Sequence, residues 1–148
     1  MLEGRTYFIV DGEYAIQIEG YYGAITESGR IWCNTDKVTE TNDIPRSGRK
    51  VYKKIESYFE DILIPRTGYI EVTIENTEKP HKKGRLRRRD AFLLHKLVAQ
   101  HFIPNPEGYK FVEHIDRIKT NNHYSNLRWV KEDTSFLGYF HNENLDYF

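Results

Sequence analysis

Apolar and polar residues alternate in short runs through the first third of the chain, and turn residues interrupt them, which predicts β-structure. "RTYFIV" and "YAIQI" flank "DGE", while "YYGAIT" and "RIWC" flank "ESG", so two hairpins are expected. Residues 34–50, "NTDKVTETNDIPRSGRK", are polar and contain Pro and Gly, the composition of a loop or linker. "VYKKIESYFEDI" has apolar residues at 51, 52, 55, 58, 59 and 62, a spacing that predicts a helix. In "GYIEVTIEN", Ile70, Val72 and Ile74 alternate with Glu71, Thr73 and Glu75, the period of a half-buried strand. Its expected partner is 84–89, with "TEKPHKKG" as the connection. "DAFLLHKLVAQHF", 90–102, predicts a helix capped by Asp90, with Leu94, Leu97, Val98 and Phe102 on one apolar face. The prolines of "IPNPEG" end it. A strand in "YKFVEHID", a long polar loop, a strand in "NLRWV" and a helix from about Glu132 complete the chain. The fold class is therefore α+β. Residues 1–64 are expected to form a β-rich module with a linker and helix, and 65–148 a second unit.

Composition narrows this picture. The 148 residues include 11 Tyr and 8 Phe, enough large side chains for an ordinary core. One cysteine, Cys33, excludes an internal disulfide framework and a Cys-based zinc ribbon, and suits a reducing cytosol. No apolar run approaches the roughly 20 residues that cross a bilayer. The N-terminal "MLEGRTYFIVDGEYAI" lacks the pattern of a secretion signal. Charge balances at 22 basic and 22 acidic residues, but "KPHKKGRLRRR", 79–89, holds seven Lys or Arg and no acid. These cations fall on the tip and return strand of the predicted second ribbon. Such a block is either one face for an anionic partner or a solvated turn, and charge alone does not choose. On a strand, Arg87 and Arg89 face one way and Arg88 the other.

The densest candidate chemistry lies in "EHIDRIKTNNHYSNLRWV", 113–130. Phosphodiester hydrolysis needs a base to take a proton from water and a cation to hold the phosphate. A histidine at a strand end suits the first task near neutral pH, and hard oxygen ligands suit Mg²⁺ or Mn²⁺. His114 and Glu113 are adjacent, so on a regular strand they point to opposite sides; both serve one site only if the strand end is distorted. Asn126, twelve residues after His114, precedes the next strand, where its amide is expected to orient the imidazole.

"LLHKLVAQHFIPNPEGYKFVEHIDRIKTNNHYSNLRWV", 93–130, resembles the HNH homing endonucleases of phage and intron type, with their ββα-metal motif. The likeness follows that family's "H-R-L-V-A…F-I-P-N-P…N-H-I-D-G-x-K-x-N-N…N-L-x-W" pattern with its spacing intact. Upstream, "IEGYYGAITESGRIWC" resembles the β module found before such cores, and "GYIEVTI" the strand ahead of the helix. The resemblance implies His114 as general base, Glu113 as a metal ligand in place of Asp or Asn, and Asn126 as support for His114. It implies one divalent cation, Mg²⁺ or Mn²⁺, with His114 also counted among its ligands.

The family's third metal position is Asn or His, and here it is Ser135, a shorter and weaker ligand. His141 or Asn142 would have to substitute from about two turns further along a helix. Arg117 replaces the usual Gly, which implies a different turn or an extra phosphate contact. The chain also ends soon after the motif, without room for a C-terminal helix-turn-helix.

Double-stranded DNA is the implied partner, gripped by Lys82, Lys83, Arg85, Arg87, Arg88, Arg89, Arg117 and Lys119. No membrane is implied, a monomer is favoured, and the setting is a bacterial or phage-infected cytoplasm. Other polar residues have plainer readings. Asn121 and Asn122 are expected as turn-formers, Trp129 and Val130 as core, and His95 and His101 as packed or hydrogen-bonded helix residues. His123 either reaches a phosphate or is an exposed loop residue. The expected function is a metal-dependent DNA endonuclease. The alternatives are a DNA-binding or regulatory protein on a weakened HNH scaffold, or a protein-binding inhibitor of the same fold.

Overall fold

The computed structural model describes residues 6–33, 37–40, 48, 52–55, 57–80 and 87–135, without the side chains of 37–40, 52–55, 78–80, 87 and 88. In chain order the elements are β1 (Tyr7–Val10), β2 (Glu13–Gln17), β3 (Ala24–Thr26), β4 (Ile31–Cys33), β5 (Lys37–Glu40), β6 (Tyr52–Ile55) and β7 (Tyr58–Phe59). There follow β8 (Glu71–Pro80), β9 (Arg87–Leu93), α1 (Leu94–Phe102), β10 (Phe111–His114), a 3₁₀ turn (Tyr124–Asn126) and β11 (Leu127–Val130). The fold is α+β, as expected.

Both N-terminal hairpins form. Asp11 and Gly12, with φ of 50° and 80°, make the left-handed two-residue turn that an Asp-Gly pair favours, and β1 pairs with β2 across it. Strands β1 to β4 and β7 make one antiparallel sheet, while β5–β6, β8–β9 and β10–β11 are two-stranded. The first sheet is sewn to β8 by Tyr22 N–H donating to Glu75 O at 3.0 Å and Thr77 N–H donating to Gly20 O at 3.0 Å. One buried cluster draws Ile16, Ile25 and Ile31 from the first sheet, and Val72 and Ile74 from β8. It takes Leu94, Leu97, Val98 and Phe102 from α1, and Val112 and Leu127 from the last hairpin. The apolar stripe of α1 is therefore what joins the N-terminal sheet to the β10–β11 hairpin.

Three expectations need correction. The helix predicted over 51–62 is replaced by β6, which pairs with β5, and β7, which pairs with β4 through Trp32 opposite Phe59 and Cys33 opposite Tyr58. Val51, Tyr52, Ile55, Tyr58 and Phe59 are β-branched or aromatic residues that suit a pleated surface, and a short run of them satisfies either period. The stretch 34–50 is not all loop either, because β5 lies within it. The helix expected from Asp90 begins at Leu94 instead. Asp90 sits in β9 opposite Ile74 and accepts from Tyr21 Oη at 2.7 Å and Asn76 Nδ2 at 3.1 Å. Ladder pairing with β8 continues as far as Leu93, and strand geometry wins until that pairing ends. The helix expected from Glu132 falls largely outside the described residues, which end at Ser135, and so do His141 and Asn142.

Candidate active site

The β10–β11 register sets the site. Glu113 lies opposite Arg128, and His114 opposite Leu127. Directly opposed residues share a face, so Leu127 covers the His114 side and Asn126 turns away from it. His114 is fully buried, and its Nε2 is 2.7 Å from Asn122 Oδ1. Tyr69 stacks against it with ring centroids 6.0 Å apart, and His95 of α1 lies 5.0 Å away. Tyr69 also stacks on His95 at 4.9 Å. Lys119 closes this side, with Nζ donating to Thr67 O at 2.6 Å and standing 4.4 Å from the Tyr69 ring centre. Two buried atoms here, His95 Nδ1 and Asn122 Nδ2, have no hydrogen-bond partner among the described residues. Orphaned buried polar atoms are costly and concentrate where a ligand or water is handled.

Electrostatics follow from burial. Burial lowers the His114 pKa below the usual histidine value, with Lys119 adding to the effect and Asn122 and Asp116 opposing it. Burial, then His114, then Lys96 push His95 down to about 3, so that ring is neutral. Burial would raise the Glu113 pKa, but hydrogen bonds from Thr134 and Arg128 and the charges of Arg128 and Arg117 hold it below the ordinary value.

Glu113 faces the other way from His114. Its Oε1 takes both Nε and Nη2 of Arg128, and its Oε2 accepts from Thr134 Oγ1 at 2.7 Å. Asn126 does not reach His114. Its Oδ1 accepts from Asp116 N–H at 3.1 Å, and its Nδ2 donates to Asp116 Oδ1 and Asn121 O, both at 2.9 Å. Asn126 thus closes the loop on itself, while Asn122, expected only as a turn-former, meets the imidazole. Asn121 keeps its expected place, donating from Nδ2 to Asp116 Oδ2 at 2.7 Å. Arg117 occupies the left-handed turn that Gly would favour, with φ of 63°, so the backbone turn is kept despite the side chain. Its Nη1 donates to Thr134 O at 3.4 Å.

Ser135 donates its backbone N–H to Asp133 Oδ1 at 2.9 Å and lines a small cavity with His95, Lys96 and Asp133; the residue on Glu113 is Thr134. Of the basic ribbon, Lys82, Lys83 and Arg85 lie outside the described residues, and Arg87 and Arg88 are placed on β9. Arg89 is turned onto the protein, bonding Thr73 O at 2.8 Å and Glu60 Oε1 at 2.7 Å. His123 caps the 3₁₀ turn, its Nδ1 accepting from Ser125 N–H at 3.2 Å.

A divalent cation fits this site in donor chemistry but not in arrangement. The Glu113 carboxylate and Thr134 hydroxyl are hard oxygens side by side. Yet among the described residues no three His, Cys, Asp or Glu side chains gather to hold a metal, and both Glu113 oxygens are engaged. Among the same residues, no helix is long and apolar enough to cross a membrane.

Asn122, Thr134 and Arg128 are the site residues that sequence reasoning missed. The counting that set Glu113 and His114 on opposite faces of a strand also puts one partner on each face, and only the loop path and pairing register say which.

The HNH endonuclease family profile matches residues 92–133. An uncharacterised HNH endonuclease of Acanthamoeba polyphaga mimivirus is 35% identical over 86 residues, which are 58% of this chain. The chain spans only 23% of that relative's length. Among solved structures, that of DNA binding and cleavage by the HNH homing endonuclease I-HmuI matches with a TM-score of 0.49 and 27% identity, over 78% of this chain and 51% of that one. Residues 92–133, from the end of β9 through α1 and the β10–β11 hairpin, are thus the part of the chain that is similar to the HNH endonuclease family.

Proposed function

We propose that the chain is a metal-dependent DNA endonuclease of the HNH homing type, hydrolysing phosphodiester bonds in double-stranded DNA with one divalent cation, Mg²⁺ or Mn²⁺. One observation carries this reading: the family segment ends its first hairpin strand in His114, a buried imidazole held by an amide and flanked by orphaned polar atoms. In this reading His114 takes the proton of the attacking water. An amide oxygen only accepts, so Asn122 Oδ1 keeps the ring proton on Nε2 and leaves the accepting lone pair on Nδ1. The lowered pKa keeps the ring neutral near pH 7, as a base must be. Asn126, through Asp116 and Asn121, holds the loop that delivers Asn122. Glu113 and Ser135 are the oxygen donors that the resemblance implies for the cation, which would supply positive charge to the phosphate; to serve beside His114, Glu113 would have to leave Arg128 and Thr134 and turn from the opposite face of β10. The basic ribbon, Arg117 and Lys119 neutralise DNA phosphates.

A second reading, a DNA-binding protein on a weakened HNH scaffold, has its own support in the engaged oxygens of Glu113 and the serine at 135. Nicking of supercoiled plasmid with Mg²⁺, Mn²⁺ and chelator, beside a gel-shift assay, separates the two. The nuclease reading expects cutting that chelator stops. It also expects His114→Ala to lower the rate by about 10²–10⁴-fold, the usual worth of a general base, with DNA still shifted. Protein that shifts DNA but cuts with neither metal supports the second reading. Full cleavage by His114→Ala removes His114 from the chemistry.

A further inference from the structure

We propose that Glu113 is a positioning residue for Arg128, and that Arg128, so held, binds a phosphate of the DNA backbone on the face of the β10–β11 hairpin turned away from His114. The proposal rests on the DNA-binding part of the reading above and asks no metal of Glu113. An ion needs that carboxylate open, whereas Oε1 takes two nitrogens of Arg128 and Oε2 accepts from Thr134 Oγ1 at 2.7 Å. The same arrangement suits an arginine that has to be held still. Glu113 and Arg128 are directly opposed on β10 and β11, the carboxylate at 4% side-chain exposure and the guanidinium at 61%.

A guanidinium carries five N–H groups in a fixed planar fork. Glu113 takes one edge of Arg128, Nε with Nη2, and this leaves both N–H groups of Nη1 and the second of Nη2. Those form the other edge, the pair of parallel donors that meets two phosphate oxygens at once. The acid is the buried member of the pair, so the pair is a dipole with its positive end toward solvent. Thr134 holds the other oxygen of Glu113 and keeps the carboxylate from turning. Arg117 donates from Nη1 to Thr134 O at 3.4 Å and brings a second positive charge to the same carboxylate. A loose arginine gives up rotamer freedom when phosphate captures it. Glu113 has already taken that freedom from Arg128.

The test is binding of a short DNA duplex, followed by fluorescence anisotropy across a salt series in EDTA, so that metal plays no part. Wild type is compared with Arg128→Gln, Arg128→Lys, Glu113→Gln and the double variant Glu113→Gln/Arg128→Gln. Arg128→Gln is expected to weaken binding and to lower the slope of log affinity against log salt by about 1, as loss of one phosphate contact does. Arg128→Lys keeps the charge but not the fork, so it should keep the slope and still bind more weakly. The positioning role is read from the double-mutant cycle. In the Glu113→Gln background, Arg128→Gln should cost roughly 2–10-fold less affinity than in wild type, the worth of immobilising one long side chain in advance. Charge alone predicts the reverse, since an arginine released from its carboxylate has more charge to offer phosphate.

Unchanged affinity and slope in Arg128→Gln, or wild-type affinity in Arg128→Lys, removes the forked phosphate contact. An equal or larger cost in the Glu113→Gln background shows that Glu113 does not prepare Arg128 for phosphate, and overturns the positioning role. Each of these results leaves the nuclease reading standing, because wild type still binds the duplex. Should Arg128→Gln fail to fold with Glu113 unpaired, the cycle is run with Arg128→Lys, where the same sign is expected. Wild type that binds no duplex at any salt concentration overturns the proposal and the DNA-binding reading together.

Discussion

Cys33 is 2% exposed, and its thiol donates to Glu60 Oε2 at 3.1 Å. Burial, then the hydrogen bond and negative charge of Glu60, push its pKa from 9.0 up to about 12. The folded value lies above the unfolded one, so the protonated thiol contributes stability below pH 9.0, and that contribution is lost as pH rises toward about 12. At pH 8 the folded protein holds roughly a thousandfold less thiolate than the unfolded chain, three pKa steps of tenfold each. Native Cys33 should react with a disulfide reagent at least that much more slowly than in guanidinium, and tenfold faster per pH unit. Labelling at comparable rates in both states would show that the thiol is not held in this way. Residues differ in how readily the sequence reveals them. His114 is legible because its spacing to the helix, the loop and "NLRWV" is local. Asn122 is not, since three asparagines share one loop and its path decides which meets the imidazole. Arg128 on Glu113 escapes for the same reason, because cross-strand pairing follows the length of the loop between the strands.

The β3–β4 turn shows how one element positions another. Glu27 O accepts from Tyr124 N–H at 3.0 Å, so this turn is bonded to the loop that carries Asn122. Gly29 has φ of +89°, and a Cβ added there would stand 3.1 Å from Asn122 Cβ and 3.2 Å from Asn122 O. Gly29→Ala should therefore cost about 2–5 kcal/mol, combining left-handed strain with overpacking. Because the displaced residue holds His114, the proposed nuclease reading expects nicking to slow even at temperatures where the variant stays folded, with DNA affinity little changed. Denaturant titration and initial nicking rates measure the two effects, and wild-type values for both would mean that this contact positions nothing. The hairpins around this turn are legible from alternation and Asp-Gly chemistry. The start of α1 is not, because strand pairing with β8 carries β9 through Asp90, and that competition is tertiary. The 51–62 stretch misleads for a related reason: six apolar positions suit a helix or two short strands, and the free edge of β4 decides.

At the scale of the molecule, the expected units 1–64 and 65–148 contribute to a single buried cluster. Ile74 is 0% exposed, and its Cγ2 lies 3.1 Å from where a Cβ on Gly23 would sit, so β8 is pressed against the N-terminal sheet. Truncating a fully buried isoleucine costs about 2–5 kcal/mol through lost apolar burial and the cavity left behind. With a shared core, that cost should fall on one cooperative transition. The two tryptophans report on it separately: Trp32 lies in β4 against Phe59 at 4.8 Å, and Trp129 lies in β11 with Nε1 donating to Ile103 O at 3.2 Å. In single-tryptophan proteins made by Trp32→Phe or Trp129→Phe, Ile74→Ala should lower the urea midpoint seen by either probe to the same extent. Coincident transitions are the test of a single unit. A midpoint that moves at Trp32 but not at Trp129 would divide the molecule, and α1 would then pack the two parts together without making them fold as one.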